Sequence, residues 1–179
     1  MTMSLYIRTS SEDTPEQRPG DRRDARTRPD ESYLGTPEQA EQVPIGTNVC
    51  RMLVPTHATG GRLGLFSLSM PPNGPYASPH FHKEMTELFV VLSGEVTLTR
   101  GETPVTARPG TALYVPPGTP HGFANVSDTP AELLIAFMPG RHREDFFRGL
   151  ADLLNRDVVP GEQELEEFAE RFDQYRYRS

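Results

Sequence analysis

Between about residues 44 and 138, short apolar runs alternate with turn residues. "NVCRMLV", "LGLFSLSM", "ELFVVL", "EVTLTR", "ALYV", "HGFANV" and "AELLIAFM" are separated by "PPNG", "SG", "RPG", "PPGTP" and "SDTP". Runs this short, punctuated this closely by Gly and Pro, predict the strands of an antiparallel sandwich or barrel. At least eight strands are expected, enough to close a small barrel whose interior holds one ligand. Within them, "VVLSGEVTLT" reads as a hairpin turning at Ser93 and Gly94. After Gly140 the period changes. Phe146, Phe147, Leu150, Leu153 and Leu154 fall at helical spacing, as do Leu165, Phe168, Ala169 and Phe172 behind a Pro-Gly start. Two amphipathic helices are expected, packed outside the barrel. Neither polar face is basic, which argues against a membrane-surface role.

Residues 9–43 are rich in Pro, Arg, Asp, Glu and Ser and poor in large apolar side chains. Such a segment buries too little surface to offset its ordering entropy. The expected organisation is therefore an extended or disordered N-terminal arm over 1–43, a β-barrel over 44–140 and a helical extension over 141–179. The 179 residues suit one domain with tails. The net charge of −7 argues against nucleic-acid binding. In the arm, "RPGDRRDARTRPD" interleaves its arginines with acids, so a basic recognition arm is disfavoured. The barrel segment carries only six Asp/Glu and five Lys/Arg, leaving most of the charge in the two ends. A single cysteine, Cys50, in the apolar "NVCRML", reads as a small buried hydrophobe. The N-terminus has no apolar run of signal-peptide length, and no stretch approaches a membrane span, so a cytoplasmic location is expected.

Chemistry concentrates in "HFHKEMTE", residues 80–87. Residues two apart on a strand share a face, so His80 and His82 present their imidazoles together. Glu87 stands at odd separation and would point the other way along an unbroken strand. A turn through "KEMT" with a new strand starting at Glu87 removes the conflict and puts Glu87, Phe89 and Val91 on one face. In "GTALYVPPGTPHGFAN", residues 110–125, Pro116, Pro117 and Gly118 make a corner and His121 opens a strand shared with Phe123 and Asn125. Two hairpins meeting across a small barrel would gather His80, His82, Glu87 and His121. Three neutral imidazoles and a carboxylate suit a divalent first-row metal and leave positions open for water or substrate.

Both segments resemble the paired motifs of the cupin superfamily. The first runs Gly74, five residues, His80-x-His82, four residues, Glu87, six residues, Gly94. The second runs Gly110, five residues, Pro116-x-Gly118, two residues, His121, three residues, Asn125, after a spacer of 15. The resemblance implies an all-β double-stranded β-helix, a jelly-roll barrel that is often dimeric, with His80, His82, Glu87 and His121 as metal ligands. Over roughly residues 44–155 the chain is similar to the small single-domain cupins related to bacterial quercetin dioxygenases.

That likeness implies a metal-dependent oxidoreductase: a dioxygenase acting on an enol, phenolic or diketone small molecule, with O2 as co-substrate. One divalent transition metal (Fe, Mn, Ni, Co, Cu or Zn) is the expected cofactor, and a homodimer the expected assembly. Glu87 is the candidate general base, a carboxylate whose pKa an apolar barrel is expected to raise. Phe89, Phe123 and Tyr76 are the candidate substrate-binding residues, with Tyr114 a further possible donor. Phe66, Phe81 and Phe137 read as core, Asn125 as structural, Glu84 as exposed, and His57 and His142 as solvated. The alternatives are a redox-neutral metal-dependent isomerase, cyclase or lyase of a biosynthetic pathway, and a non-catalytic small-molecule-binding cupin. A metal-free sugar epimerase is disfavoured by the full ligand set.

Overall fold

The computed structural model describes residues 32–178. The arm expected over 1–43 lies outside the described residues through position 31, and its last residues are already strand. The order is β1 (Glu41–Ile45), β2 (Asn48–Val54), a 3-10 turn (Thr56–Thr59), β3 (Gly64–Met70), β4 (Ala77–Phe81), β5 (Thr86–Ser93), β6 (Val96–Arg100), β7 (Thr103–Ala107), β8 (Ala112–Val115), β9 (His121–Ala124), β10 (Ala131–Met138), α1 (Arg143–Leu154), α2 (Glu162–Glu170) and β11 (Tyr175–Arg176). The strands form two antiparallel sheets. One runs β1-β2-β3-β10-β5-β8, the other β11-β4-β9-β6-β7.

Alternation decides which side chains face inward. Glu87, Phe89 and Val91 of β5 are buried, as are Leu133, Ile135 and Phe137 of its neighbour β10. The expected hairpin at Ser93–Gly94 does not form. β5 pairs with β8 and β10, whereas β6 pairs with β7 and β9 in the other sheet. The chain turns a corner between sheets there. Gly94 has φ +70, and a Cβ on it would lie 2.3 Å from the Pro130 carbonyl oxygen, so only glycine fits. The segments His80–Glu87 and Val115–His121 also cross from one sheet to the other, and neither is a hairpin. Carrying β4 and β9 in one sheet and β5 in the other is what makes their inner-face residues meet across the interior.

The two helices form where the spacing places them. α1 adds its apolar face to the barrel core: the Phe147 ring lies 4.9 Å from Phe66 and 6.2 Å from Phe137. α2 stacks Phe168 on Phe146 at 5.7 Å. The C-terminal segment then returns as β11 against β4, pairing Tyr175 with Phe81 and Arg176 with His80.

Candidate metal centre

His80 and His121 are direct cross-strand partners in β4 and β9, so their imidazoles project from the same face, ring centroids 4.3 Å apart. A register shift between Ala77 and His80 sets this pairing. Glu87 reaches them from the opposite sheet. The turn between His82 and Glu87 is the one the parity of the sequence requires. It is held by the Asp173 carboxylate, which accepts the backbone N–H groups of Lys83, Glu84 and Met85 at 2.9, 2.9 and 3.0 Å. Gly118, at φ +77, donates its N–H to the His82 carbonyl at 2.6 Å and ties the second motif to the first.

One ligand atom from each of His80, His82, Glu87 and His121 lies within 4.8 Å of the others, and all four residues are buried. The Nδ1 atoms of His80, His82 and His121 lie 2.9, 2.6 and 2.9 Å from the carbonyl oxygens of Ser78, Asp173 and Thr119. A carbonyl only accepts, so each Nδ1 carries a proton and each Nε2 points inward, free to meet Glu87 or, deprotonated, a cation. The Nε2 atoms of His121, His82 and His80 stand 2.7, 2.9 and 3.9 Å from Glu87 Oε2. Three inward Nε2 atoms and a carboxylate oxygen converging in a buried space are a ligand set that fits a cation once the Nε2 protons are released.

The electrostatics differ from the sequence expectation at Glu87. Burial alone pushes its carboxyl up, but hydrogen bonds from His121 and His82 outweigh it and hold the group well below the usual carboxylate range. Burial likewise opposes protonation of His121, yet its hydrogen bond to Glu87 raises it. His80, farther from the carboxylate, is pushed down to about 3 by burial and by His121 beside it.

A 430 Å³ cavity lies between the barrel's inner face and the two helices, and His80 and Glu87 form part of its wall. Phe123 lines it, and Tyr76, 71% exposed, stands at its edge. Phe89 is not on that wall. It is fully buried behind Phe123 and His121, at ring distances of 5.7 and 5.8 Å, because the inward face of β5 below Glu87 is already core. Tyr114 is 62% exposed on β8 and does not line the cavity. Asn125 is structural: its Nδ2 donates to the carbonyls of Met70, Pro71 and Thr129. Glu84 is exposed and pairs with Arg141. Cys50 is buried, its thiol pushed up to about 12 by burial.

The sequence reading missed two residues, Asp173 and Arg143. Asp173 sits in the C-terminal stretch with no local signal. Arg143 is 2% exposed and lines the cavity. Its signal was present: it lies three and four residues before Phe146 and Phe147, on the apolar stripe of α1.

A two-sheet antiparallel barrel with three histidines and a glutamate gathered on its inner face defines a β-barrel protein with a potential metal-binding site. A family model described as "Cupin domain" matches residues 66–137, which span both motifs. That match, with the two-sheet barrel around it, supports membership of the cupin superfamily. The chain is 27% identical over 141 residues to quercetin 2,3-dioxygenase of Bacillus subtilis, a match covering 79% of this chain and 40% of that protein. It is 28% identical over 74 residues to an uncharacterized protein of Methanocaldococcus jannaschii, covering 41% of this chain and 59% of that one. The chain thus matches less than two thirds of the length of either relative. The solved structure of KdgF from Halomonas sp. superposes with a TM-score of 0.56 at 15% identity, over 64% of this chain and 99% of that one, which shows the shared fold. Among the described residues no helix is long and apolar enough to cross a membrane.

Proposed function

We propose that this protein is a metal-dependent cupin enzyme, a dioxygenase acting on an enol, phenolic or diketone small molecule. The observation that carries this reading is the buried set of three inward-facing Nε2 atoms and the Glu87 carboxylate, opening on a 430 Å³ cavity. The quercetin 2,3-dioxygenase relative supports it.

His80, His82, His121 and Glu87 would hold the metal, and the carbonyls of Ser78, Asp173 and Thr119 keep the three imidazoles oriented inward. Bound there, a divalent transition metal supplies Lewis acidity toward a substrate oxygen and, when redox-active, electron exchange with O2. Glu87 takes the substrate's proton. Its hydrogen bonds to His82 and His121 both fall on Oε2. Phe123, Ile135 and Phe137 give the wall an apolar surface that limits water and accommodates a ring or hydrocarbon skeleton. A homodimer in the cytoplasm is the proposed setting.

The test is elemental analysis of untagged protein purified without added metal or chelator, beside His80→Ala and His121→Ala. Near-stoichiometric Fe, Mn, Ni, Co or Cu, lost in both variants, is expected, followed by oxygen uptake with flavonols or diketones. Turnover that persists without O2 would replace oxygenation with a redox-neutral isomerase or lyase reaction. No metal in the wild type, and none taken up on reconstitution, would leave a non-catalytic binding protein.

A further inference from the structure

We infer that α2 is a gate over the cavity, hinged at its C-terminal end and latched at its N-terminal end by Arg176 and Arg178. Release of that latch opens the way to the metal centre for an apolar ligand. This rests on the reading of the cavity as the substrate pocket.

Three residues line the cavity yet remain exposed, and so mark its mouth. They are Tyr76, at 71%, and the Glu162 and Arg176 side chains, at 81% and 39%. Leu165, Glu166 and Phe168 continue α2 along the same wall. The segment that carries α2 is pinned at both ends. After α1, the Asn155 side chain donates to the Pro44 carbonyl at 2.8 Å and accepts the Gly46 N–H at 3.0 Å. Beyond α2, the Asp173 carboxylate is bound to the turn after His82, and β11 is paired with β4. Between these anchors little is buried. Residues 156–159 are exposed, and Phe168 is the one buried residue of α2, whereas α1 buries six. Phe168 stacks on Phe146 and seats over Gly149, where a Cβ would lie 2.6 Å from its ring. That contact makes the hinge. No side chain caps the other end of α2, and an isolated helix of nine residues does not persist in water.

Besides the half-buried Leu165, charge ties the N-terminal half of α2 to the barrel. Arg176 Nη1 meets Glu162 Oε2 at 2.9 Å and Glu166 Oε1 at 2.8 Å, and Arg178 Nη2 meets both Glu166 oxygens at 2.8 Å. Arg176 is fixed in β11 opposite His80, and the next residue, Tyr177, donates its N–H to the Pro79 carbonyl at 3.0 Å. The latch therefore stands on the strand that carries a site histidine. Two further side-chain pairs of α2 do not reach the barrel: Gln163 bonds Glu167, and Arg156 of the connector bonds Glu164. Exposed ion pairs are weak and screened by salt. A thinly buried segment held by such pairs opens locally at low cost, while its anchored ends stay in place.

The test is hydrogen exchange of the full-length protein, read by mass spectrometry in low and high sodium chloride, with α1 as internal reference. Amides of residues 166–170 are expected to exchange about tenfold or more faster than those of 147–154, and about threefold faster still in high salt. In the double variant Glu162→Gln/Glu166→Gln, exchange in low salt is expected to match the wild type in high salt, with no further response. Arg176→Gln, which leaves Arg178 on Glu166, is expected to fall between. N-Phenyl-1-naphthylamine, uncharged so that salt does not steer it, is the ligand probe. Its association rate by stopped-flow fluorescence is expected to rise with salt in the wild type and not in the double variant. Exchange in α2 no faster than in α1, rates unmoved by salt, or a salt response surviving in the double variant would each overturn the gate. Should that variant fail to fold, the wild-type response and Arg176→Gln decide. Exchange that behaves as expected with no uptake of the probe would sink the pocket reading and leave the hinged helix standing.

Discussion

His82 donates its Nδ1–H to the backbone carbonyl of Asp173, 91 residues along the chain, at 2.6 Å. The same residue's carboxylate holds the turn that separates His82 from Glu87. The C-terminal segment therefore orients one imidazole and shapes the loop between two of the four site residues. Replacing Asp173 by Ala removes the acceptor of three backbone N–H groups. A stability loss of about 1–3 kcal/mol is expected in denaturant titrations, with metal affinity lowered roughly 10–100-fold by chelator competition. Unchanged metal affinity in a folded variant would limit Asp173 to a structural role.

Glu87→Gln keeps the shape of the side chain and its position on β5. It is expected to retain much of the bound metal but to lose about 100-fold or more in turnover, because an amide cannot accept the substrate proton. An unaffected turnover number would remove Glu87 as the base.

The metal-free protein is expected to be most stable near pH 6.5, the ordinary histidine value. His80 is pushed down to about 3 in the fold, so the unfolded chain binds its proton first. Its contribution is present above about 6.5 and is lost as pH falls toward 3, at up to about 1.4 kcal/mol per pH unit. His121 is raised, so its contribution is present below about 6.5 and is lost as pH rises through its folded value. Thermal melts of chelator-treated protein between pH 4 and pH 9 would show a bell. His80→Gln should flatten the acid limb, and an unaltered acid limb would contradict the assignment.

Asn125 joins the end of β9 to the end of β3 through three carbonyls. Asn125→Ala leaves buried carbonyls without donors and is expected to cost about 1–3 kcal/mol, read by chemical denaturation. Metal content in the folded fraction should be unchanged, which separates this residue from the four at the site.

Cys50 should be inert to thiol reagents in the native protein, because it is 1% exposed and its thiol is pushed up to about 12. Reaction should appear only at denaturant concentrations that unfold the chain. Prompt labelling under native conditions would show that β2 opens locally.

The strand pattern, the two helices and all four site residues were legible in the sequence because each rests on local periodicity or fixed spacing. The parity conflict between His82 and Glu87 even required the turn that the structure contains. Pairing was not legible. "VVLSGEVTLT" has the local form of a hairpin, yet the backbone at Gly94 turns between sheets because β10 and β8 already flank β5. Nor could the pKa of Glu87 be read from its apolar neighbours, since its sign depends on two imidazoles arriving from the other sheet.

The sequence by itself determined which residues could bind a metal and that they lie on or beside strands, since side-chain chemistry and a period of two are properties of the chain alone. Only the tertiary structure decided what surrounds them: the carbonyls that turn each Nε2 inward, the helix face that brings Arg143 to the cavity, and the return of Asp173 to His82. Those are contacts across long stretches of chain, set by packing and by the need to satisfy buried polar groups, and no local pattern encodes them.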